Sequence, residues 1–289
     1  MSEAAINGTT IHYDVHGSGF PLVFVHGGFG GLGTGAGAQA PDWLDRFAAD
    51  FTVILYDRRS SGRSGFEEVE HTLSLFAGDI QALLAELGFD RAHVWGTSAG
   101  GQITLGFGLD HPAAAAALVV ADSAPWLSRD DDLRAKLRER IDLLQREGAE
   151  AAYAARRESG TVGLNLFAAA RPAQSEAEQE ARDAQRARIQ AQLAKIPREE
   201  RIAKYAGELR TYEAYLGFDG SARLDELSSP TLIVYGTADT VFPDAGWAEA
   251  AAANPRITYR PVEGAEHGLT AAHPGTLDEI HAFLSVNTP

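Results

Sequence analysis

The residues best suited to chemistry begin at Gly96-Thr97-Ser98-Ala99-Gly100, followed by Gly101. They fit G-x-S-x-G, a pattern in which serine occupies a sharp turn between a strand and a helix. Such a turn strains the serine backbone, and Gly96 and Gly100 leave room for the flanking backbones to approach. It lifts the hydroxyl to the C-terminal edge of a sheet, where open α/β sheets place their sites. The helix N-terminus behind it carries about half a positive elementary charge, which favours an anionic intermediate. A glycine-rich turn can be only a turn. The apolar Ala92-His93-Val94-Trp95 before it and the helical pattern after it favour the chemical role.

A serine hydroxyl is a weak nucleophile and needs a base. His267 lies in Gly264-Ala265-Glu266-His267-Gly268, after an extended stretch and just before the last helix. The base in turn needs an acid that fixes its tautomer and stabilises the imidazolium. Asp239 follows an apolar run in Tyr235-Gly236-Thr237-Ala238-Asp239. Ser98, Asp239 and His267 thus occur in the order nucleophile, acid, base. Asp122, after Leu118-Val119-Val120, is a rival acid that stays open at this point. His273 and His281 are rival bases, placed at the start of the last helix and within it, where packing or surface roles suit them better. The glycines of His26-Gly27-Gly28-Phe29-Gly30 free backbone amides to face an oxyanion. The expected donors are the amides of Gly28 and Ala99, with Phe29 as the alternative to Gly28. Arg58, Arg59 and Arg63 could hold an anion, but ion pairs bracing a turn are the expected role.

These residues need a frame. Asn7-Gly8 reads as a hairpin turn. Short runs apolar on both faces follow: Pro21 to Val25, Phe51 to Tyr56, Ala92 to Trp95, Leu118 to Val120 and Thr231 to Tyr235. Such runs suit buried parallel strands. Phe76, Ile80, Leu83, Leu84 and Leu87 repeat at helical spacing, with Gly88 as the stop. Another helix follows Ser98, and Leu277, Ile280, Phe283 and Leu284 mark the last. Strands alternating with helices predict an α/β fold with a doubly wound, mostly parallel sheet. From about Pro125 the alternation stops. Leu133, Leu137, Ile141 and Leu144 share a helical face, and Arg171 to Arg210 is rich in Ala, Gln, Glu and Arg. The expected division is a core of 1–124 and 224–289 with a helical cap inserted at 125–223. Phe29, Trp126, Phe167, Tyr212, Tyr215 and Phe242 are expected to line a largely apolar pocket, and Phe218 lies nearby.

Composition narrows the function classes. The chain has 289 residues, 45% hydrophobic and 22% charged, as in folded globular proteins. Its formal net charge of -15 repels phosphate backbones, which argues against nucleic-acid binding. With no cysteine, disulfides, thiolate metal sites and a cysteine nucleophile are excluded. The first Lys or Arg is Arg46, and the longest apolar run, Ala113 to Ala121, falls far short of the ~20 residues a membrane span needs. A cytoplasmic protein acting on a small-molecule substrate, with no membrane or nucleic-acid partner, is expected. The oligomeric state is not encoded in any visible feature. Gly28-Phe29-Gly30-Gly31-Leu32-Gly33 fits G-x-G-x-x-G, but that fingerprint needs a helix opening inside it. Further glycines and Pro41 follow instead, so a dinucleotide site is not expected.

Together, His26-Gly27-Gly28, Asp57-Arg58-Arg59-Ser60-Ser61-Gly62-Arg63-Ser64, Gly96 to Gly101, Gly236-Thr237-Ala238-Asp239 and Gly264-Ala265-Glu266-His267 resemble the α/β-hydrolase fold superfamily, in its serine hydrolase subgroup with a helical cap. The resemblance implies a triad of Ser98, Asp239 and His267, hydrolysis without cofactor or metal, and a structural His26 bracing the oxyanion loop. Ser60 stands where the family has glycine, so the turn must avoid positive φ or accept strain. Phe29 replaces the proline of the proline-releasing aminopeptidases. The leading expectation is an esterase or lactonase for a small to medium, largely apolar substrate. An aminopeptidase or amidase, a carbon–carbon bond hydrolase and a ligand receptor with little turnover are the alternatives.

Overall fold

The apolar runs form the centre of one sheet. A computed structural model describes residues 2–29, 42–156, 194–243, 245–269 and 273–289, with scattered positions from 176 to 191. The hairpin is β1 (Ser2–Ile6) and β2 (Thr9–His16), joined by Asn7 at φ 46° and Gly8 at φ 74°, the pair of positive angles a tight hairpin requires. Then follow β3 (Phe20–Val25), β4 (Phe51–Tyr56), β5 (Ala92–Thr97), β6 (Ala115–Ala121), β7 (Thr231–Gly236) and β8 (Ile257–Val262). The eight strands lie in the order β1-β2-β4-β3-β5-β6-β7-β8, and every pairing from β4 to β8 is parallel. The α/β fold with a mostly parallel sheet is therefore the one expected. Strand β8 lacks the continuous apolar run of its neighbours because it is an edge strand with exposed Arg260 and Pro261.

Side chains alternate between two cores along each strand, as the period of two dictates. Val23, Val25, Val94, Val120 and Ile233 face α2 (Leu73–Glu86) and α3 (Ala99–Asp110), where Phe76, Ile80, Leu83 and Ile103 are buried. Leu22, Phe24, Trp95, Val119 and Leu232 face Phe47 of α1 (Leu44–Ala48) on the opposite side. Ile280 and Leu284 of the last helix join that second core. Between β6 and β7 lie α4 (Asp131–Ala155), kinked at Gly148, and α5 (Arg198–Leu216). Leu133, Leu137, Ile141 and Leu144 bury one face of α4, as their spacing predicts. The remaining helices are α6 (Trp247–Ala253) and α7 (Pro274–Val286). Among the described residues, no helix is long and apolar enough to cross a membrane. Phe167, the glycine-rich stretch beyond Phe29 and most of the Arg171–Lys195 stretch lie outside the described residues.

This topology fixes where chemistry can occur. The chain steps from β4 across β3 to β5, so the C-terminal ends of β3 and β5 are neighbours at the switch point. The loops after β3, β5, β6, β7 and β8 all leave from one edge.

The turn after β4 accepts the strain foreseen at Ser60, whose φ is 56°. Its hydroxyl donates to Nε2 of buried His71 at 2.9 Å, and His71 Nδ1 donates to the Val69 carbonyl. Burial, with the charge of Arg59, pushes His71 down to about 4, and burial does the same to His93. Between pH 4 and 6.5 both rings stay neutral in the folded chain and gain a proton on unfolding. Their contribution is therefore complete above pH 6.5 and is lost as pH falls toward 4. Asp122, raised to about 6, works in the opposite direction but is a single group. Urea unfolding should show a lower midpoint at pH 5 than at pH 7, with each histidine costing on the order of 1–2 kcal/mol. His71→Gln should flatten the slope. A midpoint that holds or rises between pH 7 and 5 would contradict this assignment of neutral histidines.

Candidate active site

Ser98 sits between β5 and α3 with φ 53° and ψ -127°, a conformation most side chains avoid. Packing holds it there. A Cβ on Gly96 would lie 2.2 Å from the Gly100 carbonyl oxygen, and one on Gly100 would lie 2.1 Å from that of Val25. Only glycines let β5, α3 and β3 converge so closely. The Ser98 amide donates to the Ala121 carbonyl at 2.9 Å, tying the turn to β6. The hydroxyl thereby projects toward His267, whose Nε2 lies 3.0 Å from Ser98 Oγ. His267 Nδ1 lies 2.8 Å from Asp239 Oδ2. The other Asp239 oxygen accepts from the amides of Val241 at 2.7 Å and Phe242 at 3.0 Å. Burial works to raise the Asp239 carboxyl, but the His267 bond, its charge and those two amides outweigh it and hold it below the usual range. A carboxylate fixed on Nδ1 leaves Nε2 free to take the hydroxyl proton.

The loop after β3 passes directly over the serine. A Cβ on Gly27 would lie 3.1 Å from Ser98 Cβ. Buried His26 has its pKa lowered to about 3 by burial and by Arg58. Its neutral ring donates from Nδ1 to the Gly27 carbonyl at 2.8 Å. The Gly27–Gly28 peptide is trans, as are the others among the described residues, so holding the Gly27 carbonyl on one side sends the Gly28 amide to the other. Gly28 has φ 80°. Ala99 opens α3, where amides lack helical acceptors. No described residue accepts a hydrogen bond from the amide of Gly28 or Ala99.

The profile of the family described as alpha/beta hydrolase fold matches residues 21–273. The chain belongs to the alpha/beta hydrolase fold family. A Caulobacter vibrioides protein, RutD, provisionally named a carbamate hydrolase, is 30% identical over 279 residues, covering 95% of each chain. Among solved structures, the enol-lactonase of Burkholderia xenovorans LB400 superposes with a TM-score of 0.72 at 21% identity, covering 98% of this chain and all of the other. The esterase RhEst1 of Rhodococcus sp. ECU1013 gives 0.64 at 23% identity, covering 98% and 97%. These structural likenesses speak to the fold, and the family and curated relatives place the chain among hydrolases.

The rivals within this alpha/beta hydrolase occupy other positions. Asp122 follows β6 directly at φ 50°, is fully buried, and neither oxygen has a hydrogen-bond partner among the described residues. Burial raises it to about 6, with Asp239 adding to the rise and the His267 charge opposing it. His273 stands at the N-cap position of α7 without a capping bond from its side chain, and His281 lies 3.0 Å from Asp50 on the surface. Arg59 forms a buried bidentate pair with Asp79 at 2.6 and 2.7 Å, and Arg63 pairs with Asp57 at 2.7 Å. Those are the turn-bracing pairs expected. Arg58 departs from that expectation, because no described carboxylate lies within ion-pair distance of it. Phe29 stacks on Tyr212 at 4.6 Å and meets Tyr215 edge-on at 5.1 Å. Phe242 packs 5.8 Å from the His267 ring and 6.4 Å from Trp126. Cavities of about 470 and 660 Å³ lie elsewhere, at α4–α5 and beside Trp126, and neither is lined by Ser98 or His267.

The glycine contacts give a direct check. Gly100→Ala should lower unfolding free energy by roughly 2–3 kcal/mol, since its Cβ meets backbone rather than a movable side chain. Gly78→Ala inside α2, with its nearest neighbour 3.9 Å away, should be neutral or stabilise by up to about 1 kcal/mol. Equal urea midpoints for the two variants would contradict the packing argument.

Proposed function

We propose that the protein is a serine hydrolase that cleaves a small to medium carboxylic ester or lactone through an acyl-enzyme. The supporting observation is the chain of contacts from Ser98 Oγ to His267 Nε2 at 3.0 Å and from His267 Nδ1 to Asp239 at 2.8 Å. His267 removes the Ser98 proton as Oγ bonds to the substrate carbonyl carbon. The carbonyl electrons move onto oxygen, and the amides of Gly28 and Ala99 stabilise that charge. Collapse of the intermediate breaks the bond to the leaving alcohol, which takes its proton from His267. Water then attacks the acyl-enzyme with His267 again as base, releasing the acid and restoring Ser98. No metal or organic cofactor enters these steps.

The segment 125–223 would act as a cap over this site, with Tyr212 and Tyr215 against Phe29 supplying apolar walls. The names of two structural neighbours, an enol-lactonase and an esterase, fit the ester and lactone reading. A carbamate is the second reading, favoured by the curated relative that shares 30% identity over nearly the whole chain. Its carbonyl would enter the same steps with an amine-derived leaving group.

Purified protein should turn over members of a panel of aryl esters, lactones, carbamates and amino-acid arylamides. The arm with the highest kcat/KM assigns the class, and multiple turnovers separate an enzyme from a receptor. Ser98→Ala should lower turnover by roughly 10³ to 10⁶. Asp239→Asn should cost far more than Asp122→Asn. A Ser98→Ala enzyme at near wild-type rate would refute the nucleophile, and a reversed order of the two aspartates would move the acid to Asp122.

A further inference from the structure

The clearest oddity in the site is a buried cation without an acid among the described residues. Arg58 is 1% exposed, while its neighbours Arg59 and Arg63 each hold a carboxylate. Burying an unpaired charge is costly, so a site that tolerates it has its donors fully directed. The Arg58 donors are aimed at the oxyanion loop. Nη2 donates to the Gly28 carbonyl at 2.6 Å and to the Gly27 carbonyl at 3.4 Å. Nε donates to His26 Nε2 at 3.4 Å, on the ring whose Nδ1 holds the same Gly27 carbonyl. Nη1 donates to the Tyr215 hydroxyl at 2.9 Å, and that hydroxyl donates to the Ala99 carbonyl at 2.9 Å.

We propose that Arg58 and Tyr215 are positioning residues for the oxyanion hole, which together clamp both of its walls and direct a positive charge at it. Resting on the proposed serine chemistry, the inference assigns roles that neither the family profile nor the relatives' names carry. Each trans peptide whose carbonyl oxygen faces Arg58 points its amide the opposite way. For the Gly27–Gly28 peptide, met at 3.4 Å, that amide is the Gly28 donor, while the 2.6 Å bond fixes the next peptide, whose amide belongs to Phe29. A cation on the acceptor end polarises the peptide and strengthens the donor at the far end, and the effect grows in a buried site. Tyr215 extends the clamp to the carbonyl of Ala99, on the peptide that follows the second amide, and so fixes the position of the residue that supplies it. Because Tyr215 belongs to α5, it also couples the helical segment between β6 and β7 to the reacting carbonyl. The stabilisation is greatest when the substrate oxygen is an anion, so it acts on the transition state more than on bound substrate.

The test uses the full chain with three variants: Tyr215→Phe, Arg58→Lys and Arg58→Met. For each, kcat and KM are measured on the best panel substrate, with inhibition by a trifluoromethyl ketone whose serine adduct carries the oxyanion. Tyr215→Phe should lower kcat about 10-fold and Arg58→Met about 10²-fold or more, with KM changed less than about threefold. Inhibitor affinity should fall in step with kcat. Arg58→Lys keeps the charge and should recover part of the loss, which a role confined to packing would not produce. Should Arg58→Met fail to fold, Tyr215→Phe and Arg58→Lys carry the same comparison. The proposal is overturned if these two folded variants keep wild-type kcat and inhibitor affinity, or if KM rises while kcat holds. A wild-type chain that neither turns over the panel nor binds the ketone defeats the serine-hydrolase reading itself, and this inference with it.

Discussion

Holding Ser98 at φ 53° sets the terms for everything around it. A left-handed backbone costs a non-glycine residue roughly 1–2 kcal/mol, and nothing local to serine repays that. The cost is offset by the packing of β3, β5 and α3, which meet at van der Waals limits only because Gly96 and Gly100 have no side chains. The strain is useful because the strained angle lifts the hydroxyl off the sheet edge. There it meets a histidine carried by the loop after β8 and reached across β6 and β7. Parallel strands make this possible, since their C-terminal ends share one edge and loops far apart in sequence converge there.

Charge is then divided sharply over a few ångströms. Two aspartates lie in the loops that follow neighbouring strands, yet their surroundings differ. Asp239 accepts two amides and the His267 ring and stays ionised below the usual range. Asp122 is buried without hydrogen-bond partners among the described residues and is raised to about 6. Environments that push two carboxyls apart assign them different duties. The arginines divide in the same way. Arg59 and Arg63 neutralise Asp79 and Asp57 and brace a turn, whereas Arg58 spends its donors on neutral carbonyls, a neutral imidazole and a phenol.

Much of the fold was legible because buried parallel strands need apolar side chains on both faces, as in Phe51–Tyr56 and Thr231–Gly236. Strand β8 was harder to read, since an edge strand carries Arg260 and Pro261 where a central strand could not. At the site, glycine spacing marked the turn at Ser98, a local feature that needs no tertiary knowledge. The loops holding Asp239 and His267 could be marked only by order along the chain, and their contact depends on strand order. Arg58 could not be read at all. The tandem Arg58-Arg59 suggests two ion pairs, and only the folded chain shows one guanidinium meeting Asp79 while the other reaches Gly28 and Tyr215. A separation of 157 positions between Arg58 and Tyr215 leaves no periodic signal.

The central claim is that His267 makes the hydroxyl of Ser98, and of no other serine, a nucleophile. A fluorophosphonate offered to the intact chain tests it most directly, followed by mass measurement of the whole protein and of its peptides. The account requires one adduct per chain, on the peptide that contains Ser98, and loss of labelling in His267→Gln with the fold retained. An unlabelled Ser98 in folded protein, an adduct on a different residue, or labelling that persists unchanged without His267 would contradict it.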